Sequence, residues 1–303
     1  MSALPKRSPT PSEHAAQRGS GSSAVQAVHI LPGAFTPWLY RGFGKYVARL
    51  FRKKFHSVRI VKGGVDRLSA LNTINTPTIV MLNHSSWWDP LVCVLLGSRL
   101  LPDRTGFGPM DIAMLRKFGI FKKLGLFGVD PDDPAALKPM LAYCLDRFKR
   151  DRKPTMWVTP QGRFSDVRDE IVLRPGTAAI AARACRASVS GNEAGTSASS
   201  GDSLRVIAIA VEYVFWIEQS PEVLLRIVEV EPPTSMTTAG WHRALTNAMR
   251  ANAAELATCV RARNPDAFEK LFATKASSTN PFYDLWLRVR GKKSNIEVVK
   301  RGS

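Results

Sequence analysis

No apolar run in this 303-residue chain approaches the ~20 residues needed to cross a bilayer. The longest candidate, 90–101, is interrupted by Gly97, Ser98 and Arg99. A peripheral protein, not an integral one, is the expectation. Cysteine is scarce: Cys93, Cys144, Cys185 and Cys259 are widely spaced with no Cys-x-x-Cys pair, which argues against a disulfide framework and a zinc site and suits a reducing compartment. The first nine residues lack the apolar region of a secretory signal, so the cytoplasmic side of a membrane is the expected location. Acidic charge is also short. Asp and Glu number 25 against 43 Lys and Arg, for a net charge of +18. Such a balance attracts polyanions, whether nucleic acid or anionic lipid. No nucleic-acid-binding motif accompanies it, and the basic residues stand beside aromatics at both ends of the folded region, as in interfacial segments. An anionic membrane surface is therefore the expected partner, and nucleic acid is not.

With 45% hydrophobic and 22% charged residues, the chain can bury one sizeable core. Residues 1–30 are rich in Ser, Pro, Gly and Ala and read as disordered. Residues 31–74 hold a basic and aromatic amphipathic helix and a lead-in strand. From Pro37 to Lys54, Leu39, Phe43, Tyr46, Val47, Leu50 and Phe51 share one face, while Arg41, Lys45, Arg49, Arg52 and Lys53 gather on another. This helix suits either a surface position in the fold or membrane docking. Residues 75–274 form the main domain. Strands are expected at 58–61, 78–82, 106–108, 126–129, 155–158 and 204–214, with a further one at 223–230 near the edge of the sheet. Helices are expected from near Asp89, at 112–118, 134–150, 176–186 and 241–261. This alternation predicts an α/β fold, a mostly parallel sheet flanked by helices. A Ser/Gly-rich tract at 188–203 reads as a flexible insertion, and 275–303 as a basic, aromatic tail.

The most informative stretch is Thr78-Ile79-Val80-Met81-Leu82-Asn83-His84-Ser85-Ser86-Trp87-Trp88-Asp89-Pro90. An apolar strand runs into a His and then into a helix start, which places the imidazole at the strand's carboxyl end, where open α/β sheets put ligands. Asp89 can reach back to one ring nitrogen and leave the other free as a base. The same residues also make a passable capping box, Ser86 to Asp89, in which Asp89 only caps. Either reading fits the residues alone.

Asn83-His84-Ser85-Ser86-Trp87-Trp88-Asp89 resembles the first motif of the glycerolipid acyltransferase family, which includes lysophosphatidic acid acyltransferases. Trp157-Val158-Thr159-Pro160-Gln161-Gly162-Arg163-Phe164-Ser165 resembles that family's third motif, Phe-Pro-Glu-Gly-Thr-Arg-Ser. Phe118-Gly119-Ile120-Phe121-Lys122-Lys123-Leu124-Gly125 stands in place of its second. The segment 174–181, opening with Arg174-Pro175-Gly176, and the strand 206–211 extend the resemblance to about residues 75–230. Within Glu-Gly-Thr-Arg three side chains differ: Gln161 stands where the family has Glu, Arg163 where it has Thr, and Phe164 where it has Arg.

The resemblance implies transfer of a fatty acyl group from an acyl thioester, acyl-CoA or acyl carrier protein, to a lipid hydroxyl, with no cofactor and no metal. His84 would be the base and Asp89 its orienting partner. Gln161, Gly162, Arg163, Lys122 and Lys123 would bind the acceptor, and Ser85 and Ser86, at the helix start, could offer backbone N–H groups to an oxyanion. The default acceptor is a lysophospholipid. A non-phosphate lipid alcohol such as a glycolipid or carotenoid glycoside is the alternative, because the phosphate-gripping motif is altered. A non-catalytic basic protein that binds membrane or nucleic acid is a remoter one. Trp87 and Trp88 are expected to pack the core or wall an acyl tunnel. Oligomeric state is left open.

Overall fold

The computed structural model describes residues 29–190 and 204–273, so most of the expected disordered start, most of the insertion and the aromatic tail lie outside the described residues; at the end of that start His29 bonds Asp133 and Ile30 pairs with Val129, so 29–30 belong to the fold. In chain order the elements are β1 (Ile30–Leu31), α1 (Pro37–Lys54), β2 (Ser57–Val61), α2 (Gly64–Ser69), β3 (Thr78–Leu82), α3 (Asp89–Leu100), β4 (Thr105–Asp111), α4 (Ile112–Lys117), α5 (Ile120–Lys123) and β5 (Leu126–Val129). There follow α6 (Leu137–Arg150), β6 (Pro154–Val158), α7 (Gly176–Ser190), β7 (Arg205–Val214), β8 (Glu222–Glu229), α8 (Thr238–Ala262) and β9 (Phe268–Ala273). The nine strands form one sheet in the order β1-β5-β4-β6-β3-β7-β8-β2-β9. From β5 to β7 all neighbours are parallel, and antiparallel pairing occurs at β1–β5, β7–β8 and β2–β9. The sheet is α/β and mostly parallel, as the alternating pattern predicts.

β3 shows why this sequence makes a central strand. All five of its residues are buried, as a strand covered on both faces requires. Ile79 and Met81 join a core with Leu141 and Cys144 of α6, Ala178 and Ala181 of α7, and Trp241 and Met249 of α8. Val80 and Leu82 point the other way, into a core with Val47 and Phe51 of α1 and Val92, Leu95 and Leu96 of α3. The run of buried alanines in α7 lets that helix pack closely against α6 and α8.

The structure corrects one expected placement. β8 is not near the edge, because β2 pairs beyond it in parallel and β9 closes the sheet outside β2. The apolar face of α1 is part of the second core, where Gly44 meets Ser98 and Gly97 meets the Tyr40 hydroxyl. Residues 31–74 are thus built into the same sheet and cores as the residues that follow. α1 still leaves Trp38, at 70% exposure, and Tyr46, at 58%, in solvent together with its six basic side chains.

Arg104 fixes the amino ends of three strands. Buried just before β4, its guanidinium donates to Thr155 Oγ1 (2.6 Å), Thr78 Oγ1 (2.9 Å) and the carbonyls of Leu71 (2.7 Å), Ile74 (3.0 Å), Thr76 (2.7 Å) and Pro154 (3.0 Å). No carboxylate is among these partners. Burial lowers its pKa to about 10, which leaves it charged at neutral pH.

Candidate active site

The chain leaves β3 at Leu82, and the next residue anchors the turn. Asn83 bonds β7 twice, donating from Nδ2 to the Val211 carbonyl (3.1 Å) and accepting at Oδ1 from the Val211 N–H (2.8 Å). His84 follows at the carboxyl end of the parallel strands, with its backbone N–H donating to Gln161 Oε1 (2.7 Å). Its carbonyl accepts from the Ser165 N–H (2.8 Å). The loops after β3 and β6, almost eighty residues apart in sequence, are thereby joined at the His84 peptide.

Asp89, the first residue of α3, is fully buried. Its Oδ2 accepts from His84 Nδ1 (2.8 Å) and from the N–H groups of Ser85 (2.7 Å) and Ser86 (2.8 Å). Its Oδ1 accepts from the Tyr213 hydroxyl (2.7 Å). The carboxylate caps the turn and also pairs with the imidazole, so Asp89 does more than cap. A carboxylate only accepts, so Nδ1 carries the proton and Nε2 is the unprotonated nitrogen of a neutral His84. Among the described residues Nε2 has no hydrogen-bond partner. Burial, and then the Asp89 charge, hold the Tyr213 phenol well above its ordinary pKa, so it remains a donor. The same two causes push up the Cys93 thiol one turn along α3, which makes it a poor nucleophile.

The structure corrects the oxyanion role expected at Ser85 and Ser86. Both N–H groups are bound to Asp89 and are unavailable to a substrate. It also separates Lys122 and Lys123 from His84. Their carbonyls accept from the N–H groups of Ala34 and Thr36, and Gly125 just after them lies against Gly106. Gly106 is level with Thr155, and Thr155 with Thr78, at the amino end of β3. The two lysines therefore stand at the opposite end of the sheet from His84, roughly 20 Å away along the strand direction.

Gln161, Gly162 and Arg163 do come to the His84 corner. Gln161 is buried and reaches His84 directly. Gly162 has φ +68, and a Cβ there would stand 2.6 Å from Arg174 Nε. Both the left-handed backbone and the close approach favour glycine. The Arg174 side chain bonds the Pro131 carbonyl (2.5 Å) and Asp132 (3.1 Å). Arg163 is exposed, with no hydrogen bond or ion pair among the described residues. Phe164 lies on the His84 imidazole, ring centroids 4.2 Å apart, and Trp87 lies 5.0 Å from Phe164. The two tryptophans have different fates. Trp88 is half-buried against Phe51 and Phe55, whereas Trp87 is 75% exposed.

Tyr213 is the residue that sequence reasoning missed. Nothing local marks a tyrosine near the end of β7 as a partner of Asp89, 124 positions earlier. Only the parallel pairing of β3 with β7 brings them together. Among the described residues no cluster of His, Cys, Asp or Glu could hold a metal ion, and no helix is long and apolar enough to cross a membrane.

No family model matches this chain, and no curated protein does. Among solved structures, the crystal structure of the 1-acyl-sn-glycerophosphate (LPA) acyltransferase PlsC from Thermotoga maritima is similar to it at 16% identity, with a TM-score of 0.47, over 72% of this chain and 80% of that one.

Proposed function

We propose that this protein is an acyltransferase that moves a fatty acyl group from a thioester to a lipid hydroxyl. The observation that carries the reading is the His84–Asp89 pair. Asp89 is buried with all its contacts to donors, and it fixes the tautomer that leaves Nε2 free at the carboxyl end of β3. In this reading Nε2 removes the hydroxyl proton as the oxygen attacks the thioester carbonyl, and Asp89 stabilises the imidazolium. A positioned base of this kind contributes on the order of a hundredfold to ten-thousandfold. The thiolate leaves readily, so direct attack suffices and no covalent intermediate is required. The N–H groups of Arg163 and Phe164, just past the left-handed Gly162, have no acceptor among the described residues and could receive the oxyanion. The donor would be acyl-CoA or acyl carrier protein. The protein would work at an anionic membrane surface on the cytoplasmic side.

The resemblance makes a lysophospholipid the default acceptor, with Arg163 as the available cation for its phosphate. A second reading, an uncharged lipid alcohol such as a glycolipid, is favoured by Phe164, which occupies the space over His84 with a ring instead of a charge. The test offers wild type and Arg163→Ala both lysophosphatidic acid and an uncharged lipid alcohol, with one acyl-CoA. If the acceptor is a phosphate, the variant loses a charge-assisted contact of about 1.5–3 kcal/mol and its KM for lysophosphatidic acid rises tenfold or more. A strong wild-type preference for the neutral alcohol, with the variant unchanged, assigns the second reading. Absence of thiol release with any lipid extract would reject acyl transfer itself.

A further inference from the structure

We infer that Phe164, backed by Trp87, is a positioning residue that keeps water from competing with the lipid hydroxyl for the acyl group. The inference rests on the acyl-transfer reading of the site. A base able to deprotonate a lipid hydroxyl can deprotonate water, and hydrolysis of the thioester is the side reaction that such a site must suppress. In hydrolysis the water oxygen attacks the carbonyl carbon, the new C–O bond forms and the C–S bond breaks. His84 Nε2 takes the water proton and returns it to the leaving thiolate. The base performs the same task in both reactions, so discrimination has to come from access to it.

Access is restricted here by an aromatic roof. The His84 side chain is only 16% exposed although it sits on a surface corner. The ring of Phe164 covers its face at 4.2 Å, and Trp87 lies against Phe164 at 5.0 Å. Both posts of the roof are tied down. The Ser165 N–H bonds the His84 carbonyl, and Trp88, next to Trp87, packs edge-on against the stacked rings of Phe51 and Phe55. Neither the ring of Phe164 nor the face of Trp87 offers a polar group that would order water over Nε2. Their outer surfaces are in solvent, at 45% and 75% exposure, and such apolar surface gains by being covered with the apolar body of a lipid. The acceptor thereby completes the seal, and hydrolysis should fall further as acceptor saturates the site.

The experiment measures the ratio of free palmitate to ester product, by mass spectrometry, for full-length wild type, Phe164→Ala, Phe164→Leu, Trp87→Ala and His84→Ala. Palmitoyl-CoA is the donor, and lysophosphatidic acid and hexadecanol are the acceptor probes. Phe164→Ala should raise the acid-to-ester ratio about tenfold or more, the equivalent of roughly 1.4 kcal/mol in relative barrier height. Phe164→Leu, which restores an apolar cover, should return most of it. Trp87→Ala should move the ratio in the same direction by less, and Trp87 is too exposed for its loss to unfold the chain. His84→Ala should suppress acid and ester together. An unchanged ratio in both Phe164→Ala and Trp87→Ala, with thiol release still His84-dependent, would overturn this inference and leave acyl transfer standing. No thiol release by the wild type would remove both.

Discussion

At the scale of single residues, the site is organised around one carboxylate with four donors. His84→Ala should abolish acyl transfer while leaving the melting curve near that of the wild type, because Asp89 Oδ2 keeps the N–H groups of Ser85 and Ser86 as donors when the imidazole is lost. Asp89→Asn should cost on the order of a hundredfold or more in turnover. Its amide must either turn an N–H against the N–H groups of Ser85 and Ser86 or turn one to the Tyr213 oxygen, which leaves the buried Tyr213 O–H without its acceptor. Stability should fall with activity in that variant, and the comparison of melting and turnover in the two variants separates the base from its organiser. Tyr213→Phe tests the distant member. It leaves Asp89 Oδ1 buried without its donor, at a cost of about 1–3 kcal/mol in a denaturant titration, together with a several-fold loss of turnover. Turnover and stability both unchanged would show that the phenol is incidental. The His and the Asp are legible in the sequence because a strand, a tight turn and a helix start fix their relative positions within a few residues. Tyr213 is not legible, since its contact depends on which strands become neighbours. The Ser85 and Ser86 N–H groups illustrate another limit: the sequence marks them as helix-start donors but not which acceptor takes them.

At the scale of elements, periodicity reveals strands buried on both faces and helices with one apolar face, and these make up most of the sheet and its two layers. It does not reveal pairing order. β8 reads as a strand near the edge because its pattern mixes apolar and charged residues, yet Arg226 is satisfied from the neighbouring helix by Asn252 (2.7 Å) and Glu255. β9 goes unnoticed because only Phe268 and Phe272 of its six residues are buried. Lys122 and Lys123 look like site residues by their place in a motif. Two short helices, α4 and α5, carry the chain back to the amino end of the sheet before β5 begins. Arg104 is an element-scale device, since it joins three strands to the loop before β3. Arg104→Lys keeps the charge but offers three donors where six acceptors are now bonded, and a point ammonium cannot span them. The expected loss is about 3 kcal/mol in denaturant midpoint measurements. A loss below 1 kcal/mol would mean that these strand ends are held by packing alone. Because Arg104 is at the far end of the sheet from His84, the turnover of the folded variant should be unchanged.

At the scale of the whole molecule, the net charge of +18 and the disposition of α1 set how the protein would meet a membrane. The apolar face of α1 is committed to the core with α3, so that face cannot also enter lipid. What α1 presents outward is its polar face: Arg41, Lys45, Arg49, Arg52, Lys53 and Lys54, with no acidic residue in the helix, beside the exposed rings of Trp38 and Tyr46. Phe51 and Phe55, at the end of α1, touch Trp88, which places the Arg52-Lys53-Lys54 end of the helix on the same side as His84. Attachment through such a surface is electrostatic, worth about 1 kcal/mol per basic residue near an anionic bilayer. It should depend steeply on salt, because the screening length shrinks from about 10 Å at 0.1 M to about 3 Å at 1 M. Sedimentation with phosphatidylserine-containing liposomes should therefore be strong at low salt, fall away by 1 M, and be absent with phosphatidylcholine alone. Replacing Arg41, Lys45, Arg49 and Lys53 by Gln should weaken binding by about 4 kcal/mol, nearly a thousandfold, and leave the fold intact because all four side chains are in solvent. Binding that persists in 1 M salt would point to lipid insertion by another part of the chain, and binding unchanged in the fourfold variant would make α1 a purely structural helix.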